Sequence, residues 1–213
     1  MDNRVILLVA IGATVLASVT VYVLLQSPKE QQPEQTSPIQ TSVYVQMNQD
    51  LKRSLASHNI TMSSPIKLKE KSDIEKYCSL FADVKRQSLV EYCTSTELKT
   101  NDEFLGNIHI VGLADDPKVV LVLLQADPSM SNIGLIATTF DATVDSIVCT
   151  CWEDVTPDGF SSTSDWVDGL KQFHLSDTKP HSKSKQLSLY GKTLQLELAE
   201  NADGYMWQLF IYL

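Results

Sequence analysis

Between Lys118 and Lys171 the chain contains no lysine, arginine or histidine. The same stretch carries Asp127, Asp141, Asp145, Glu153, Asp154, Asp158, Asp165 and Asp168. A surface of this kind excludes nucleic acid as a partner, because nucleic-acid affinity comes mainly from Lys and Arg on phosphates. An anionic lipid leaflet would repel it as well. Cations and basic protein patches are the partners it tolerates. Catalytic signatures are also missing. There is no Gly-x-Ser-x-Gly elbow, no His-Glu-x-x-His and no phosphate-cradling Gly-rich loop. Only four histidines are present, and His58 and His181 stand in polar stretches, so a catalytic triad has little to draw on. These absences weigh against an enzyme.

A third absence is local. Val5 to Leu25, VILLVAIGATVLASVTVYVLL, has no charged residue. At about 1.5 Å per residue a helix of this length spans roughly the 30 Å hydrocarbon core of a bilayer. A helix also satisfies its own backbone polar groups in lipid. The basic n-region of a signal peptide is weak here, since Asp2 offsets Arg4, and apolar residues continue well past the best cleavage point after Ala17. The stretch therefore reads as an uncleaved single-pass signal-anchor over residues 1–25, with a removed signal as the alternative. Arg4 and the amino terminus precede the span and Lys29 follows it, which places the C-terminal domain outside the cytoplasm.

Residues 26–42, QSPKEQQPEQTSPIQTS, form a Pro/Gln-rich linker whose three prolines forbid a continuing helix. Residues 43–213 suit one globular domain large enough to bury a core. The net charge of −9 is unevenly spread. Residues 26–99 hold ten Lys and Arg against nine acids, whereas residues 100–213 hold six against sixteen.

Within the domain, Tyr44, Met47, Leu51 and Leu55 recur at helical spacing and predict a helix over Val43 to His58. Ser72 and Glu75 fit a capping box, and Ile74, Tyr77, Cys78, Phe81 and Val84 predict a helix ending near Arg86 to Ser88. Leu89 to Thr94 fits either a continuation of that helix or a short strand. Four segments rich in β-branched residues then predict strands: Asn107–Leu113, Lys118–Gln125, Ile133–Phe140 and Ser146–Trp152. Turn chemistry separates them, including Asp141-Ala142-Thr143. A helix from Thr163 or Ser164 to about Phe173 follows, and then strands Gln186–Tyr190, Thr193–Glu200 and Tyr205–Leu213. Asp203-Gly204 is the strongest hairpin signal. The class is α+β, with an antiparallel sheet of about six or seven strands packed by two or three helices.

Four cysteines, Cys78, Cys93, Cys149 and Cys151, are disulfide candidates in an exported domain. On one unbroken helix Cys78 and Cys93 would stand roughly 22 Å apart, beyond the reach of a bridge. Given a break between them, Cys78–Cys93 is the preferred pair; a bridge from either to the Cys149/Cys151 pair is the alternative. On a strand Cys149 and Cys151 would share a face. With His109 they would offer a Cu or Zn site, or a redox-active thiol pair. His174 is another conceivable ligand. Trp152, Asp154 and Asp158 are candidate binding residues beside these cysteines. Asn59-Ile60-Thr61 matches the N-glycosylation pattern, usable only outside the cytoplasm.

Together these features lead to the expectation of a membrane-anchored, acidic, extracytoplasmic domain. It is expected to act as a non-enzymatic binding module, without a cofactor, for a basic protein partner or an unknown ligand. The alternative is a thiol-based metal or redox protein.

Overall fold

The computed structural model of the chain describes residues 42–176 and 179–213. The apolar span over residues 5–25, the linker up to residue 41 and their expected sidedness lie outside the described residues. Among the described residues, no helix is long and apolar enough to cross a membrane.

The domain is α+β, with nine strands in one antiparallel sheet and six α-helices among the described residues. Both counts exceed the six or seven strands and two or three helices expected from sequence. Most of the additional elements are short; the exceptions are the helix over Ile133–Ile147 and the strand over Tyr92–Thr100. Strands of two or three residues and helices of four carry too little periodicity to register in a hydrophobic pattern.

Helix α1 (Val43–Ala56) buries Tyr44, Asn48, Leu51 and Leu55, one stripe at helical spacing. Two short strands follow, β1 (Thr61–Met62) and β2 (Ile66–Leu68), and then helices α2 (Lys71–Tyr77) and α3 (Val84–Gln87). The helix expected from Ser72 to about Arg86 is thus two helices. The first starts after Glu70 with no side-chain cap bond and stops at Cys78, whose φ of −130° leaves the helical region. Breaking there lets Cys78 turn onto the sheet and meet Cys93.

A meander comes next: β3 (Tyr92–Thr100), β4 (Glu103–Leu113) and β5 (Asp116–Ala126). The β3–β4 turn places Asn101 and Asp102 at φ 49° and 66°, the two consecutive positive values of a type I′ hairpin. At Gly106 on β4 an added Cβ would overlap the Leu123 carbonyl of β5.

The chain then departs from the sequence expectation. Ile133–Phe140 and Ser146–Trp152 are not strands. Helix α4 runs through Ile133–Ile147, taking in the supposed turn at Asp141-Ala142-Thr143. Its buried residues include Ile136, Ala137, Phe140, Thr143 and Val144, which is helical spacing. β-Branched residues bias a chain toward strand only weakly, and here burial of one face against the sheet overrides that bias. Thr139 and Thr143 also satisfy their hydroxyls on the carbonyls of Leu135 and Thr139 within the helix, at 2.7 Å each. Helix α5 (Trp152–Val155), a 3-10 turn at Pro157–Gly159 and helix α6 (Thr163–Ser176) complete the helical run.

Strands β6 (His181–Lys183), β7 (Leu187–Leu189), β8 (Lys192–Asn201) and β9 (Gly204–Tyr212) close the domain. The β8–β9 hairpin forms, with Ala202 and Asp203 as its loop and Gly204 paired to Asn201 at φ 132°. The strand order is β1-β3-β4-β5-β9-β8-β6, with β2 also on β3 and β7 also on β8. β5 is central, and its apolar run Val119–Leu124 is buried on both faces apart from a half-buried Leu123.

Because side chains alternate along a strand, each face has its own core. Ile108, Ile110, Val120, Val122, Trp207 and Leu209 face one side and pack with α1, α4 and α6 into the main core. The opposite face holds a smaller cluster, in which Leu68, Ile74, Cys78 and Cys93 meet Val111, Leu121 and Phe210. Among the described residues, only the segment from residue 69 to 91 contributes helices to this cluster, and these leave much of this face of β8 and β9 uncovered.

Candidate binding groove and cysteine clusters

The boundary between covered and open sheet forms a groove. Its floor is β8 and β9, which present Gln195, Glu197, Gln208 and Phe210; its wall is the connection from Leu80 to Arg86. One recess here has a volume of about 520 Å³. A second, of about 440 Å³, shares Phe81, Arg86 and Tyr212 with it and reaches the apolar side chains of Leu89, Val90 and Val119.

The wall is built by a glutamine. The Gln87 side-chain carbonyl accepts from Leu80 N (2.9 Å) and Phe81 N (3.1 Å), and its amide donates to the Cys78 carbonyl at 2.9 Å. These bonds capture backbone groups that have no ladder to join. Asp83 caps α3 by accepting from Lys85 N at 2.8 Å. Arg86 crosses the groove: its Nη1 donates to the Tyr212 hydroxyl at 3.3 Å, and the guanidinium lies 5.7 Å from that ring's centroid. At the other end Glu197, only 9% exposed, accepts from Lys183 Nζ at 2.8 Å and lies 2.9 Å from His181 Nε2. The groove therefore combines apolar patches, amide donors and a largely neutralised charge cluster, the mixture that orients ligands in concave sites.

Both pairs of cysteines are bridged. Cys78–Cys93 joins the end of α2 to β3, and Cys149–Cys151 closes a three-residue loop between α4 and α5. The latter pair is therefore in a loop rather than on a strand. Its sulfurs pack toward the main core, whereas His109 projects from β4 on the other face of the sheet. Cys149, Cys151 and His109 consequently do not converge. His109 stands instead with Cys78 and Cys93, its Nδ1 4.0 Å from Cys78 Sγ. Burial pushes the His109 imidazole down to about pH 4.

Trp152 is also spent in the core. It is 4% exposed, its Nε1 donates to the Phe160 carbonyl at 3.1 Å, and its ring lies 5.6 Å from that of Trp166. Asp154 is exposed on α5, and Asp158, exposed in the 3-10 turn, has Lys185 at 3.7 Å. The acidic residues of the helical layer point outward. Burial, and after it the charge of Asp141 one turn away, raise the Asp145 carboxyl, with His58 acting the other way. Asn59 is exposed at φ 59° in the turn that follows α1, where Ile60 N donates to the Leu55 carbonyl at 3.1 Å.

The fold brings together one set that sequence reasoning missed. His174 Nδ1 lies 2.9 Å from Ser182 Oγ, and its Nε2 lies 3.7 Å from Glu200. This serine–histidine–carboxylate order resembles a hydrolase triad. Ser182 and His174 are 4% and 2% exposed, however, so the set clamps α6 to β6 and β8 and does not face a substrate. The groove was missed for a related reason: its residues come from segments more than a hundred positions apart. One local signal was available, since Asn101-Asp102 marks the hairpin that begins the meander.

No family model, curated protein or solved structure matches this chain. Its function is therefore argued from the site.

Proposed function

We propose that this chain displays a non-enzymatic binding module outside the cytoplasm on a single membrane span, and that the module takes its ligand in the groove between the Leu80–Arg86 connection and strands β8 and β9. The observation that carries this reading is the groove's double lining. Phe81 offers apolar surface where Arg86, Gln195 and Gln208 offer hydrogen-bonding groups, over a floor filled from below by the buried Phe210. Such a lining suits an extended peptide segment, which presents a backbone and side chains together. The charge-free run over residues 5–25 supports the membrane span.

The test places a photo-crosslinking residue at Ala82, on the groove wall, in the full chain in intact cells. A discrete adduct is expected, and Phe81→Asp should abolish it. The same residue at Tyr190, 78% exposed and outside the groove lining, should give none. Protease added outside the cells should remove the domain. An adduct indifferent to Phe81→Asp, or a domain sealed from external protease, refutes the corresponding half.

A second reading rests on Asp141 and Asp145. Two carboxylates one turn apart on α4 repel each other, which favours a basic protein on the helical layer. Binding there should weaken as salt rises and should fall in Asp141→Asn/Asp145→Asn. Binding that ignores both changes removes this reading.

A further inference from the structure

We infer that Cys78, Cys93 and His109 form a second-state metal site: once the Cys78–Cys93 disulfide is reduced, its two sulfurs and His109 Nδ1 hold a single Cu(I) ion. This does not rest on the groove reading. The three donor atoms lie within 4.8 Å of one another. They come from three separate places in the fold: the end of α2, strand β3 and strand β4. Cys93 pairs with Val111, two residues along the same face from His109, so the sheet register aims the thiol and the imidazole at one spot.

Geometry favours a three-coordinate ion. With ligand bonds of about 2.0–2.3 Å, three donors arranged trigonally stand roughly 3.5–4 Å apart. Cys78 Sγ and His109 Nδ1 already stand 4.0 Å apart. The distance that must grow is the one between the two sulfurs, and reduction is the step that releases it.

The surroundings select the metal. Cys78 and Cys93 are fully buried, His109 is 6% exposed, and the nearby cluster consists of Leu68, Ile74, Val111, Leu121 and Phe210. Zn(II) in protein sites takes four ligands almost always, and among the described residues three donor side chains converge here, all of them buried. Soft thiolates favour Cu(I), which is content with three donors. An apolar setting also favours neutral imidazole, the ligating form. The disulfide state gives the same imidazole only a sulfur contact, an unusual use of a buried polar ring.

The chemistry balances with one named reagent. An external dithiol supplies two electrons and two protons to the Cys78–Cys93 bond and leaves as its own disulfide. Cu(I) then displaces the two thiol protons, with no change in the metal's oxidation state.

The test uses the detergent-solubilised full chain carrying Cys149→Ser/Cys151→Ser, so that Cys78 and Cys93 are its only thiols. Reduced, desalted without oxygen and titrated with Cu(I) against a chromophoric Cu(I) chelator, it should bind one equivalent. X-ray absorption should show two sulfurs and one nitrogen. His109→Gln should weaken binding at least tenfold, and adding Cys78→Ser/Cys93→Ser should abolish it. The oxidised chain should bind none. Zero equivalents in the reduced chain, undiminished affinity in His109→Gln, or binding by the oxidised chain would each overturn the assignment. Near-UV circular dichroism covers the case in which reduction loosens the fold. Cu(I) that restores the native signal supports the site, and Cu(I) that fails to do so overturns it.

Discussion

Removing the Cys78–Cys93 bridge is the most informative perturbation of this fold. The bridge spans fifteen positions of sequence and joins α2 to β3 with a Cα separation of 6.7 Å. In the chain-entropy account a loop of this size contributes about 3 kcal/mol by restricting the unfolded chain. The Cys149–Cys151 bridge has a sequence separation of only 2, and the same relation gives it about 1.5 kcal/mol. The two pairs should therefore rank clearly. For a domain of this length, 3 kcal/mol corresponds to a fall in Tm of roughly 6–12 °C. Against the disulfide-bonded parent, Cys78→Ala/Cys93→Ala should show that fall without reductant, and Cys149→Ala/Cys151→Ala about half of it. The loss should also be local. Without the bridge the segment from residue 69 to 91 is tied to the sheet by the packing of Ile74 and Phe81, the Arg86–Tyr212 contact and the Glu91 N bond to the Gly112 carbonyl, so its amides should exchange faster than those of β5. Thermal melts followed by circular dichroism, with hydrogen exchange read by mass spectrometry, measure both. A Cys78→Ala/Cys93→Ala protein that melts within 2 °C of the parent, or a reversed ranking of the pairs, would sink the reasoning.

Three further outcomes follow from single residues. His109 is neutral in the fold, with its titration pushed down to about 4 from 6.5, so the unfolded chain binds the extra proton between these values. The disulfide-bonded protein should keep this contribution above pH 6.5 and lose about 3 kcal/mol as pH falls to 4; denaturant melts across pH should show a slope that His109→Gln removes. Gly106→Ala drives a methyl into the Leu123 carbonyl between two central strands, and should cost about 3 kcal/mol in urea unfolding, whereas Gly134→Ala, where the space is open, should cost nothing. Gln87→Ala strips three backbone bonds from the groove wall and should lower stability by about 1–3 kcal/mol, with faster exchange at Leu80 and Phe81; unchanged exchange there would show that the wall is held by its apolar contacts.

Parts of this protein were legible from local pattern alone. The stripe Tyr44, Leu51 and Leu55 specified α1, because helical spacing with buried partners has few other solutions. The unbroken apolar run Val119–Leu124 marked a strand covered on both faces, and it is the central one. Two neighbouring turn residues, Asp203 and Gly204, announced the last hairpin. Cys78–Cys93 was the preferred pair once a break between the two was allowed, with a bridge to Cys149 or Cys151 left open, and the fold holds the preferred one.

Other features needed the whole fold. Ile133–Ile147 has the residues of a strand and becomes a helix, because a helical layer must cover the main face of the sheet and propensity is too weak to resist that burial. Register decided which residues meet. His109 stands by Cys78 and Cys93 because strand alternation puts it across the sheet from Cys149 and Cys151. Trp152 is buried and Arg86 meets Tyr212 for similar reasons of position rather than type. The charge-free run and the acidic stretch could be read residue by residue, since composition alone creates them. The groove and the cysteine–histidine cluster join segments separated in sequence, and sequence separation carries no information about proximity until the strands have paired.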